Sequence, residues 1–170
     1  MKRAAAFAGA AFALAGCGSD SGSAVAHVGD TVITKGQLQQ AVDHFKDEAA
    51  AEGRPFPKSG TDAYRTVERQ ALGLLVYRSE LLQSADKLGI PVDEQEVQTR
   101  LQASGEEAAE AGAFARETVR AQIAYEHIYE RVTAGSTPAG REAAMRKWLE
   151  QMKRAYARRV SYEAEFAPAS

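Results

Sequence analysis

Cysteine is almost missing from this chain: 170 residues hold one, Cys17. That excludes an internal disulfide and any zinc or iron–sulfur centre built on several cysteines. The histidines, His27, His44 and His127, are far apart in sequence and read as surface or locally hydrogen-bonded groups rather than ligands. Net charge is also small, −2, so the chain lacks the global basic field of a nucleic-acid binder. No Gly-rich phosphate loop and no Ser-His-Asp nucleophile signature occurs. Neither a catalytic residue, a cofactor nor a metal is expected, and nucleic acid is not expected as a partner. What remains is 45% hydrophobic and 26% charged, too apolar for a disordered chain and too charged for a membrane bundle. The length fits one domain.

The longest uncharged run, Ala4 to Gly16, follows Met1-Lys2-Arg3. It is too short for a hydrocarbon core of about 30 Å, which takes about 20 helical residues, and reads as a secretory leader. It ends Leu14-Ala15-Gly16-Cys17, which resembles the lipobox of bacterial lipoproteins. The resemblance implies cleavage before Cys17 and diacylglycerol on its sulfur. Residues 1–16 are thus expected to be a signal peptide, and 17–23 a lipidated cysteine with a Gly/Ser tether. Residues 24–170 are expected to form the folded domain. Removing 1–16 takes Lys2 and Arg3 away and moves the formal charge to −4. Such a protein would work outside the cytoplasm, held at a membrane by lipid.

Periodicity organises the rest. Ala24–Val28 and Thr31–Ile33 flank Gly29-Asp30 as a β-hairpin. Thr34 with Gln37 is a capping box, followed by Leu38, Ala41, Val42 and Phe45 at helical spacing. After a Pro/Gly loop, 53–60, a long helix is expected over about 61–88. Its stripe is Tyr64, Val67, Ala71, Leu74, Leu75, Leu81, Leu82, Ala85 and Leu88. Asp93 and Glu96 open a short helix with Val97 and Leu101. The acidic connection 105–112 leads to a helix over 113–132, with Phe114, Thr118, Ala121, Tyr125, Ile128 and Val132 on one face. A last helix, about 141–159, follows the breaker 135–140 and carries Met145, Trp148, Leu149, Met152 and Tyr156. The alternation of Val160 to Phe166 predicts a strand that closes on Val25–Val28. The expected fold is mainly α, a helical bundle with a small β element made from the N-terminal hairpin and the C-terminal strand.

Several segments together resemble the N-terminal chaperone domain of SurA-type and PrsA-type extracytoplasmic foldases. They are the opening 25–34, the central run Leu74 to Val97, and the closing helix and strand, Trp148 to Phe166. Relatives with isomerase activity insert a parvulin module between the penultimate and last helices. Here that interval is only Thr133 to Gly140, without a Gly-Gly-x-Leu-Gly signature. The resemblance therefore implies chaperone activity without prolyl isomerisation, with unfolded or extended exported polypeptides as partners and membrane contact through lipid on Cys17. The alternative is a structural or adaptor lipoprotein holding one dedicated envelope partner.

Other groups have structural readings. Trp148, Phe45, Phe114 and Tyr125 are expected in the core, whereas Phe56, between two prolines, is the candidate exposed client contact. Asp93-Glu94-Glu96 suits a helix N-terminus, and Glu106-Glu107-Glu110 a solvated face. The last helix has a face rich in Arg141, Arg146, Lys147, Lys153, Arg154, Arg158 and Arg159. It reads as a solvated face that could also meet anionic lipid headgroups.

Overall fold

The structure is a computed structural model, and it describes residues 22–103 and 112–167. Cys17, the leader, most of the tether and the Glu106-Glu107-Glu110 cluster lie outside the described residues. The hairpin consists of β1 (Ala24–Val28) and β2 (Thr31–Thr34). Its turn needs glycine twice over. Gly29 has φ +56°, and a Cβ there would lie 2.7 Å from Gln83 Oε1 and 2.8 Å from Arg159 Nη2. At the other end, Ala24 opposes Thr34 and Ala26 opposes Ile33, so Val25 is an extra, bulged residue. The bulge lets Val25 and Ala26 both be buried, which strict alternation would forbid.

Five helices follow: α1 (Lys35–Ala51), α2 (Asp62–Lys87), α3 (Glu94–Ala103), α4 (Ala113–Thr133) and α5 (Pro138–Tyr156). The α1 capping box forms as the sequence predicts, with Thr34 Oγ1 accepting from Gln37 N–H and Gln37 Oε1 accepting from Thr34 N–H. Thr61 caps α2 in the same way through Tyr64 N–H. The start of α5 is three residues earlier than expected, because Pro138 begins the helix rather than breaking it. Thr137 accepts from Gly140 N–H as N-cap, and a proline at the first helical position lacks only an N–H the helix does not use. The connection from α4 to α5 is therefore four residues, 134–137.

The chain then forms β3 (Val160–Tyr162), which pairs antiparallel with β1, giving the sheet order β2-β1-β3. Closure of the two ends is as the sequence predicts, but the strand is shorter. Past Tyr162, opposite Ala26, only one more bond to β1 forms, Glu163 N–H to the Val25 carbonyl at 3.0 Å. Beyond that bond Ala164–Phe166 turns into a short 3₁₀ helix; Ala164 is exposed and Phe166 half-buried.

One large core joins the hairpin to α1, α2, α4 and α5 through Val28, Ile33, Leu38, Leu72, Leu75, Ile128 and Tyr156, among others. A second, small cluster of Val97, Leu101 and Ile123 fixes α3 to the opposite side of α4. Every buried residue of both clusters lies between Val25 and Tyr156. Trp148, Phe45, Phe114 and Tyr125 are half-buried and pack against the large core rather than filling it. On α5 the fully buried positions are Met145, Met152 and Tyr156. Along α2, Leu74 and Leu88 belong to the predicted stripe yet stay exposed, while Leu72 and Val76 are buried.

Candidate polypeptide-binding cleft

Leu74 is the first sign of the site, because its 37% exposure is not scattered on a flat surface. With Tyr77, Arg78 and Leu81 it forms an i, i+3, i+4, i+7 row along α2. Thr118, Ala121, Gln122 and Tyr125 form the same row on α4, and the two rows wall a cleft of 640 Å³. That size falls in the range of about 300–1,000 Å³ typical of ligand clefts. The lining is mainly apolar, and Tyr77 and Tyr125 add phenolic groups to it. Burial raises the Tyr77 hydroxyl above its usual range, with Tyr125 and Glu80 adding to the effect, so it remains a neutral donor.

Two charges line the cleft. Glu126 is held by Arg100, whose Nη1 and Nη2 donate to its two oxygens at 2.8 and 2.6 Å. Arg78 has no such partner. Its Nη1 reaches the Phe114 carbonyl and Thr118 Oγ1 only at 3.5 Å, and its guanidinium carbon lies 5.2 Å from the centre of the Phe114 ring. Burial lowers the affinity of Arg78 for its proton, an effect that Glu117 opposes.

The residues singled out in the sequence fall elsewhere. Phe56 is half-buried, edge-on to Tyr64 at 6.3 Å between ring centres, and lines a separate 280 Å³ cavity with Phe45 and Val67. The histidines sit on three elements, β1, α1 and α4. His44 lies 3.4 Å from Glu48 and 5.0 Å, ring to ring, from Phe114, and His127 lies 3.6 Å from Glu96. Asp93 does cap α3, accepting from Gln95 N–H at 2.9 Å. Its neighbour Glu94 acts between helices, whereas Glu96 bonds mainly within α3. Glu94 pairs with Arg120 and Arg116 of α4, which hold its carboxyl below the usual range, and Glu96 meets Arg100. Among the described residues, no three His, Cys, Asp or Glu are grouped to hold a metal.

The outward face of α5 is basic. Arg146 and Arg154 are paired with Glu142 and Glu150 one turn earlier, whereas Lys147 and Arg158 have no ion-pair partner among the described residues. None of the described helices is long and apolar enough to cross a membrane.

A mainly apolar cleft, open to solvent between two helices of the bundle, is a concave surface of the kind that ligands occupy. Comparison by family places it. The SurA-like N-terminal domain matches residues 3–132, most of the chain, and the chain belongs to that family. It is thereby a member of a chaperone-related family, with a chaperone-type domain that binds polypeptide in an extracytoplasmic context. The match ends within α4, so α5 and β3 lie outside the matched region. No curated protein and no solved structure matches the chain.

Proposed function

We propose that this protein is a lipid-anchored extracytoplasmic chaperone that binds unfolded exported polypeptides and does not isomerise prolyl bonds. The observation that carries the reading is the α2–α4 cleft, with Leu74 exposed in its wall over buried Leu81, in a SurA-like N-terminal domain. An extended client segment would lay alternate apolar side chains into the cleft while its backbone stays hydrated. Binding is then weak, repeated and tolerant of sequence. The short 134–137 connection supports leaving isomerisation out, since an isomerase module between α4 and α5 has no room there. The anchor is proposed on Cys17 and its lipobox-like surroundings, and Phe56 as a secondary client contact beside the 280 Å³ cavity.

The protein should suppress aggregation of several unrelated unfolded clients at near-stoichiometric ratios. Leu74→Asp, at an exposed position, should reduce that suppression severalfold without lowering the melting temperature. Capture of one stoichiometric partner with no protection of unrelated clients would favour an adaptor instead. In cells, Cys17→Ser should abolish palmitate labelling and leave the precursor uncleaved; labelling that persists would overturn the anchor.

A further inference from the structure

We propose that Arg78 makes the α2–α4 cleft a receptor for a carboxylate flanked by apolar residues, at a client's C-terminus or on an Asp or Glu side chain. The inference rests on the reading of that cleft as the client site. Four arginines among the described residues are half-buried: Arg78, Arg100, Arg116 and Arg120. Three are neutralised by glutamate: Arg100 by Glu126 and Glu96, and Arg116 and Arg120 by Glu94. Arg78 alone reaches no carboxylate among the described residues. The nearest candidate by charge, Glu117, has its carboxylate on Arg120.

The geometry leaves Arg78 with capacity to spare. A guanidinium has five N–H donors in a planar fork, and both hydrogen bonds Arg78 makes use Nη1, at 3.5 Å to neutral oxygens. Nε and Nη2 have no partner among the described residues, and one face of the group rests against Phe114. Glu126, the other charge lining the cleft, is already held by Arg100. An entering apolar segment displaces water from around Arg78, and a charge stripped of water without a partner opposes binding. A carboxylate on the segment reverses that penalty through a two-pronged, charge-assisted pair, whereas a lysine at the same place adds repulsion. The cleft therefore discriminates among apolar segments by the charge beside them.

Fluorescence anisotropy on the full chain with labelled ten-residue apolar peptides tests this. One peptide ends in a free carboxylate and a second is its C-terminal amide. Two more are amidated, with a central Glu or a central Gln, and the last is amidated with a central Lys. A carboxylate peptide should bind about tenfold tighter than its amide or Gln counterpart, and the Lys peptide most weakly. Whether the terminal or the Glu peptide gains more identifies the source of the carboxylate. Arg78→Gln should erase the difference, weakening the carboxylate peptides about tenfold while the amide peptide loses no affinity or gains some, whereas Arg78→Lys, which keeps charge but loses the fork, should retain part of it. Equal affinities on the wild-type protein overturn the proposal and leave the cleft as a plain apolar site. So does a uniform loss of affinity in Arg78→Gln. Should no peptide bind, the cleft is not the client site and both readings fall.

Discussion

Tyr156 and Trp148 share one helix, and their burial separates them in energy. Tyr156 is 1% exposed, and its hydroxyl accepts a hydrogen bond from Lys87 Nζ at 2.9 Å, tying the end of α5 to the end of α2. The Arg159 guanidinium carbon stands 5.4 Å from the centre of the same ring. Trp148, although larger, is only half-buried at the edge of the core. Tyr156→Ala should therefore cost about 3–5 kcal/mol, the range for a buried aromatic, and Trp148→Ala about 2 kcal/mol. Chemical denaturation of the two variants under one condition decides the order. Equal losses would mean that α5 is seated with Trp148 inward.

Among elements, the contact of α2 with α5 and β3 holds a buried carboxylate. Glu80 is buried on α2, and burial raises its carboxyl above the ordinary range, with Lys153 of α5 opposing the shift. Tyr77 on α2 and Tyr162 on β3 are raised in turn, chiefly by burial, with Glu80 contributing. An acid whose folded value is raised binds its proton more readily in the folded state. Stability should thus increase as pH falls from neutral through the folded value of Glu80 towards the unfolded one. Below that window the sign reverses. Glu94 and Glu126 are held low by arginine hydrogen bonds, and their contribution disappears as pH falls through their folded values. Denaturation midpoints from pH about 8 to about 3 should pass through a maximum in mild acid. Glu80→Gln should flatten the neutral limb only; a variant that keeps that limb would remove Glu80 as its cause. These elements also show what the sequence could reveal. Apolar spacing located α2, α4 and both sheet ends, because buried faces repeat. It could not show the cleft, because exposed Leu74 reads in sequence just as buried Leu81 does, whether or not α4 closes on it. Arg78 was equally hidden: its distinction is the carboxylate it lacks, and each of the other half-buried arginines is served by at least one glutamate from a different helix.

For the molecule as a whole, the decisive fact is that β1 is the middle strand while its two neighbours come from opposite ends of the fold. Deleting residues 160–170 should therefore loosen the hairpin, lowering amide protection across Val25–Ile33 at least tenfold. Unchanged protection would make the C-terminal strand peripheral. The same topology sets a clock. Val28 pairs with Val160, 132 residues later, and chains are synthesised at about 5–20 residues per second. One edge of β1 must then wait roughly 7–25 s for its partner, whereas a hairpin closes in about 1–10 μs. Throughout that interval the nascent chain carries an open strand edge beside an apolar hairpin, the feature that recruits other chains into aggregates. A domain of a chaperone-related family is, during its own birth, as exposed as the polypeptides its family receives.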